Sequence, residues 1–511
     1  MLLPSGAEVT VLHPAAPRAV AALADKIPLS AGLVLLLGCG DGATGAAFRR
    51  RNPAVRLIGT EADPALARAA CSVLDQVYCL APEPGPLPPV PPADCIVVAP
   101  GLLEGLQYPE DPLAELGRML APCGMLVAWL PPDTLEAQRA RIARAGLHPV
   151  DAEQVTMPSG APGLAWRMAR APVSPLRVVS TMLPAVGGVS QVRVVEPLAG
   201  IATEAAIATR ITNQLETLPA LGDGAGIFIL HRPAVLGADG LLQLRGLMAR
   251  GWLVVCEFDD HPSQIPVLHR SDVHNFRAVH AIQTSTPALA AVLGRENPEI
   301  RVFTNAIRYL PDAANFAEPG CINLLFAALN REEDWPEHVA ALNRAAAAAD
   351  GALRFHVIAD RAFFDALDTP HKQFTPLCDY VTYLGILSRC EVSFMPLRDS
   401  LFNRCKADLK YIEAAAHRAV ALASPTVYGE SIEDGMNGLL FDDAETLYER
   451  LMGLVADPTG AREIAERART DVAAHRMLAY QTKLRVEWYR DLWSRRAELH
   501  AALLQRVPAL G

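Results

Sequence analysis

The chain alternates strand and helix signals: four to six mostly apolar, often β-branched residues, then a turn rich in glycine or charge, then a helical stretch. Leu33–Leu37, Ile227–Leu230, Leu253–Cys256, Ile322–Phe326 and Val392–Leu397 each open such a unit. Runs that are apolar at nearly every position belong to strands buried on both faces, and strands separated by helices pair in parallel. The expected fold class is therefore α/β with doubly wound, Rossmann-like sheets. At 511 residues the chain exceeds one core, so two or three domains are expected.

Composition excludes several functions. With 51% hydrophobic and 20% charged residues the chain reads as globular rather than disordered. A net charge of −10, with 46 Lys and Arg, gives no basic field for nucleic acid, although a local basic pocket is compatible with it. No apolar run approaches the ~20 residues needed to span a bilayer. Met1 to Ser30 lacks a basic start followed by a long hydrophobic segment. The expected location is cytoplasmic. The ten cysteines are scattered without a C-x-x-C pair, which argues against a disulfide scaffold or a zinc site.

The richest stretch is Phe402 to Phe441. Read as a helix from about Asn403, it places Asn403, Lys406, Lys410, Glu413 and His417 in one row, because steps of three and four share a face. Cys405, Leu409, Ile412 and Ala416 form an adjoining apolar stripe that docks the helix on a core. Two readings are open. The row is either a cleft wall whose lysines and helix start suit a diphosphate carrying a hydroxyl-rich group, or a solvated face with a Lys410/Glu413 pair.

The residues beyond this helix favour the cleft. Glu413-Ala414-Ala415, Ala421-Leu422-Ala423-Ser424 and Gly435-Met436-Asn437-Gly438-Leu439-Leu440 form an ordered set that resembles the carboxyl-terminal half of GT-B glycosyltransferases, especially retaining family 4. The resemblance implies a two-domain GT-B enzyme over residues 175–310, the acceptor side, and 318–480, the nucleotide-sugar side. It also implies a helix at 481–511 packing back on the first domain, so Trp488, Tyr489 and Trp493 are read as packing residues, with peripheral membrane contact as the minor reading. The implied activity is metal-independent transfer from a nucleotide sugar to a glycan or protein acceptor, in surface polysaccharide or glycoconjugate synthesis. Glu413 is implied to hold the nucleotide ribose. Arg331 matches the family's diphosphate-binding arginine, and Lys406 and Lys410 are expected to supply the lysine that Glu332 to Trp335 lack. Gly187 and Gly188, with Arg193, match the glycine loop of the first domain, with an ordinary strand-to-helix turn as the equal alternative. His231 and the cluster Glu257, Asp259, Asp260 and His261 at strand ends are candidate acceptor-side groups, with Asp259 and His261 as catalytic candidates. Asn403 or Asp399 is expected on the sugar. The first glutamate of the family's Glu-x7-Glu pair falls on Cys405.

Residues 1–170 carry a different signal. Leu33 to Leu37 runs into Gly38-Cys39-Gly40-Asp41-Gly42, and the next strand ends at Glu61. A strand, a glycine turn and a helix bring backbone N–H groups close to a nucleotide-like ligand, and a carboxylate at the neighbouring strand tip suits a ribose diol. With Asp94 to Val98 and Leu116 to Val127, this resembles class I S-adenosylmethionine-dependent methyltransferases, which makes Gly38, Gly40 and Glu61 the implied cofactor residues. Leu36 stands where the family has an acid, and Gly105 where it has a histidine. Methyl transfer, in a bifunctional enzyme, and a structural or docking role are both open. So is a non-catalytic scaffold for the whole chain.

Overall fold

The structure is a computed structural model that describes residues 23–80, 89–106, 108, 111–130, 133–156, 162–183 and 188–511. The chain divides into two compact units, 1–174 with 203–206, and 175–202 with 207–511.

The first unit is built on strands β1 (Leu33–Leu37), β2 (Arg56–Glu61), β3 (Gln76–Cys79), β4 (Ala93–Val98), β5 (Leu120–Leu130), β6 (His148–Thr156) and β7 (Pro162–Ala169), in the order β3-β2-β1-β4-β5-β7-β6. The first five are parallel and β7 runs antiparallel to both neighbours. Alternate residues of β1 enter opposite cores, Val34 and Leu36 beside Leu57 and Val97, Leu35 and Leu37 beside Ile58 and Ile96. That is why the run is apolar throughout. The glycine turn after β1 sits where the strand order reverses, the usual ligand edge of an open α/β sheet.

The second unit holds two wholly parallel six-stranded sheets. One contains β8 (Leu176–Ser180), β9 (Ile207–Ile211), β10 (Ala225–His231), β11 (Leu253–Glu257), β12 (Ala281–Thr284) and β13 (Ile300–Val302), ordered β13-β12-β11-β10-β8-β9. The other contains β14 (Ile322–Ala327), β15 (Leu353–Ile358), β16 (Lys372–Thr375), β17 (Val392–Met395), β18 (Val420–Ala423) and β19 (Leu439–Leu440), ordered β16-β15-β14-β17-β18-β19. The fold class is thus α/β with three Rossmann-like sheets, the last two within one unit.

Two helices differ from the sequence reading. The single helix expected over residues 481–511 is two, Ala479–Ser494 and Arg496–Arg506. The first packs Trp488, Tyr489 and Leu492 on one face of the β8–β13 sheet with Leu176, Val178 and Ile229, while Leu503 joins the opposite face with Phe228 and Val254. The break at Arg495, held by Glu299 at 2.9 Å, lets the chain wrap from one face to the other. The helix expected from Asn403 is also interrupted. It runs Leu401–Arg404, then Leu409–Ala416. Tertiary partners take the groups that would continue it: the Cys405 carbonyl accepts from Thr286 Oγ1 at 3.0 Å, Lys406 reaches Asp260 at 2.7 Å, and Asp408 pairs with Arg476 at 2.6 Å. The expected docking stripe remains only in part, with Cys405, Ile412 and Ala416 buried and Leu409 lining a cavity.

Candidate functional site

The carboxyl ends of both sheets of the second unit line one cavity of about 280 Å³. Gly188, Arg232, Asp259, Ser285 and Asn305 come from the β8–β13 side. From the β14–β19 side come the ends of β14, β15 and β17, the Arg331 loop, and Lys406, Lys410 and Glu413. Strand ends converge here because every strand of both sheets points the same way within its sheet. Backbone strain gathers at this edge too: Arg232 (φ 46°), Asn330 (φ 55°), Ala359 (φ 71°) and the β-branched Val427 (φ 69°) are all left-handed. Such positions persist where the surrounding structure over-determines them, often at ligand sites.

Three cations share the wall. Arg331 donates to Asn403 Oδ1 at 2.8 Å and to Asp334 at 3.1 Å. Lys406 pairs with Asp260 and lies 4.2 Å from the centre of the Phe402 ring. Lys410 donates to the Ala327 carbonyl. Burial pushes its ammonium down to about 8; Glu413 opposes the shift and Arg331 adds to it. Burial likewise lowers Lys406, against the pull of Asp260.

Glu413 is 3% exposed, and each of its oxygens accepts a tyrosine hydroxyl, Tyr380 at 2.7 Å and Tyr383 at 2.8 Å. Desolvation raises its carboxyl above the ordinary range, while the two hydroxyls and Lys410 pull the other way. A carboxylate offers about four acceptor positions, so two remain for a ligand. Sequence reasoning missed both tyrosines. The signal was there in Asp379, which caps the helix Tyr380–Leu387, followed by two tyrosines three apart and hence on one face.

Across the cavity Asp259 bonds Arg232. Burial alone would lift its carboxyl, but the Arg232 guanidinium holds it below the usual range. Gly188 approaches Tyr380 so closely that a Cβ there would lie 2.7 Å from the ring. Gly188→Ala is therefore expected to displace Tyr380, and with it Glu413, at a cost of about 1–3 kcal/mol. Denaturant unfolding checks this; an unchanged midpoint overturns it.

Other expected residues lie elsewhere. Gly187 is outside the described residues. Asn403 is 2% exposed and spends its amide on Asp334 and the Arg398 carbonyl, so it orients Arg331 rather than facing the cavity. Asp399 pairs with Arg404 at the surface. His261 is not among the cavity residues and caps the short turn Pro262–Gln264 through Ser263. Arg193 and Glu257 form a buried pair at 2.8 Å, so the positive charge expected from Arg193 is spent inside the protein. His231 is buried, with its Nε2 unpartnered, and burial pushes it down to about 4. His417, also pushed down to about 4 by burial, bonds the Glu413 carbonyl. Cys405 is in a hydrophobic cluster with Phe258 and Phe276. In the first unit, Glu61 accepts from the backbone N–H groups of Gly40 at 2.8 Å, Ala62 at 2.9 Å and Asp63 at 3.1 Å, and Gly38 donates to Thr60. Among the described residues no group of three or more His, Cys, Asp or Glu is placed to hold a metal ion, and no helix is long and apolar enough to cross a membrane.

No protein family and no curated protein matches the chain. Several solved structures are similar to parts of it. A TarM variant from S. aureus, in complex with fondaparinux, alpha-GlcNAc-glycerol and UDP, is 12% identical and covers 52% of this chain with a TM-score of 0.39; the match spans 55% of its own length. HepE from Anabaena, in complex with UDP-glucose, is 11% identical, covering 62% of this chain and 100% of its own with a TM-score of 0.45. A TehB-like SAM-dependent methyltransferase from Corynebacterium glutamicum is 22% identical, covering 30% of this chain and 87% of its own with a TM-score of 0.24.

Proposed function

We propose that residues 175–511 transfer a glycosyl group from a nucleotide sugar to a glycan or protein acceptor, in surface polysaccharide or glycoconjugate synthesis and without a metal ion. The observation that carries this reading is the placement of Arg331, Lys406, Lys410 and Glu413 around one cavity between two parallel sheets. A diphosphate needs several cations within hydrogen-bond reach, and the ribose beside it needs an acceptor; these four residues supply both. As the glycosyl bond breaks, negative charge grows on the departing diphosphate, and fixed cations in a desolvated cavity stabilise that charge. Lys406 pairs with Asp260 and Arg331 with Asp334. A bound diphosphate would compete with these carboxylates for both cations, while Arg232 also pairs with Asp260. Arg232 and Asp259, on the opposite wall, are assigned to the acceptor or the transferred sugar.

No methyl-transfer step is proposed for residues 1–174. Three of the roughly four acceptor positions of Glu61 are taken by backbone N–H groups, two from its own turn and one from Gly40 of the glycine turn, which leaves room for one hydroxyl rather than a ribose diol.

A thermal-shift screen across nucleotide sugars and S-adenosylmethionine tests the proposal. A ligand at a hundredfold excess over its Kd stabilises by about 2.7 kcal/mol, enough to move the midpoint by a few degrees. A nucleotide sugar is expected to do this, and the Lys406→Ala and Lys410→Ala variants are expected to weaken the shift. If no nucleotide sugar moves the midpoint, or both variants bind as tightly as the parent, the reading is wrong and a non-catalytic scaffold takes its place.

A further inference from the structure

The helix Ala479–Ser494 carries an arginine into the interior of the second unit. Arg485 is 2% exposed, and its Nε and Nη1 are buried with no hydrogen-bond partner. It borders a small cavity of about 10 Å³, and Arg193, from the segment after Gly188, lines the same space. Ser180, which lines it, gives its hydroxyl proton to the Thr181 carbonyl, and the charged and amide acceptors nearby are each engaged. Glu257 Oε1 takes Arg193 Nε at 2.8 Å, and Oε2 takes Gln283 Nε2 at 2.6 Å. Gln283 Oε1 takes the Tyr489 hydroxyl at 2.7 Å. Arg193 Nη1 is used on the Phe303 carbonyl and Asn305, but its Nη2, 2.8 Å from Glu257 Oε1, lacks the alignment of a hydrogen bond and is buried without one.

The unpartnered polar atoms at this space are therefore guanidinium N–H donors from two arginines, and the Glu257 carboxylate is paired with the first of them. Their charges sum to an excess of one positive charge. The Phe303 ring, 4.2 Å from the Arg485 guanidinium, offsets part of this but accepts no conventional hydrogen bond. Burial, with Arg193 adding to it, disfavours the charged form of Arg485 despite Tyr489 and Glu257 nearby. A buried charge left uncompensated costs several kcal/mol.

We propose that this cavity binds a monatomic anion, chloride under ordinary conditions, held by Arg193 and Arg485. The space is about that of one water-sized sphere. A water carries no charge to offset the excess, whereas a halide supplies the missing negative charge and accepts from both arginines. The ion joins the returning helix to the segment that carries Gly188, so it fixes the wall behind the cleft. The inference is independent of the glycosyltransferase reading.

Thermal unfolding in sodium chloride against sodium gluconate, at constant ionic strength, tests it on the full chain. The midpoint of the parent is expected to rise by a few degrees with chloride and to saturate, bromide is expected to substitute, and Arg485→Met is expected to abolish the dependence. Crystals of the parent grown with bromide are expected to show an anomalous peak between Arg193 and Arg485, which decides the matter even if the variant does not fold. Equal midpoints in the two salts, a dependence that survives in Arg485→Met, or a water in place of the peak overturns the proposal.

Discussion

Lys410→Met is expected to weaken nucleoside diphosphate binding about ten- to a hundredfold, and to erase a pH dependence that the parent shows above pH 8. Hydrogen bonds to charged groups contribute about 1.5–3 kcal/mol, and each 1.4 kcal/mol is a factor of ten. Lys410 suits this test because, unlike Lys406 and Arg331, its bonded partner is a backbone carbonyl, Ala327, rather than a carboxylate. Its ammonium, pushed down to about 8 by burial, is half neutral at that pH in the ligand-free protein. The terminal phosphate of the ligand, with its second ionisation near pH ~6, is already fully charged there. Binding stabilises the protonated lysine, so above pH 8 the protein takes up a proton as the ligand enters. Affinity therefore falls as pH rises past 8, approaching a tenfold loss per unit. Lys410→Arg, always charged, is expected to bind without that inflection. Calorimetric titration of the diphosphate from pH 7 to 9, in buffers of different ionisation enthalpy, reads both the affinity and the proton. A parent Kd that is flat across this range sinks the assignment.

The lysine was legible in the sequence for a reason that also marks what was not. Lys410 and Glu413 are three apart within the helix Leu409–Ala416, so a local periodicity placed them correctly relative to each other. The sheets were legible because apolar runs report burial on both faces. The break between Arg404 and Leu409 was not, since it depends on Asp260, Thr286 and Arg476, separated from their partners by 146, 119 and 68 residues. The same limit applies to Asn403, whose amide is fixed by Asp334, and to the tyrosines that hold Glu413 from another helix. Charge at a strand end is equally silent about its surroundings. Glu257 and Asp259 are two residues apart, yet one is 0% exposed against Arg193 and the other lines the cavity.

That difference gives Glu257 the largest expected effect on stability. Glu257→Ala is expected to cost about 3–5 kcal/mol, because removing one partner of a buried pair strands the other. Here it strands two cations, Arg193 and Arg485, and leaves the Gln283 amide that donates to Oε2 without its acceptor. Desolvation lifts the Glu257 carboxyl, with Arg193 opposing it, so the pair is held together by its mutual attraction against a high cost of burial. Glu257→Gln keeps the shape and one acceptor, and is expected to lose less. Arg193→Met with Glu257→Met removes both charges, so the double variant is expected to be more stable than the sum of the two single losses predicts. Urea unfolding of the parent, Arg193→Met, Glu257→Met and the double variant measures the coupling. If Glu257 instead served the acceptor, as its strand-end position suggests, Glu257→Ala would keep the parent's unfolding midpoint and lose transfer alone. That outcome would also remove the carboxylate from the charge balance around Arg485, since a group that leaves the interior unchanged when deleted cannot be compensating two buried guanidiniums.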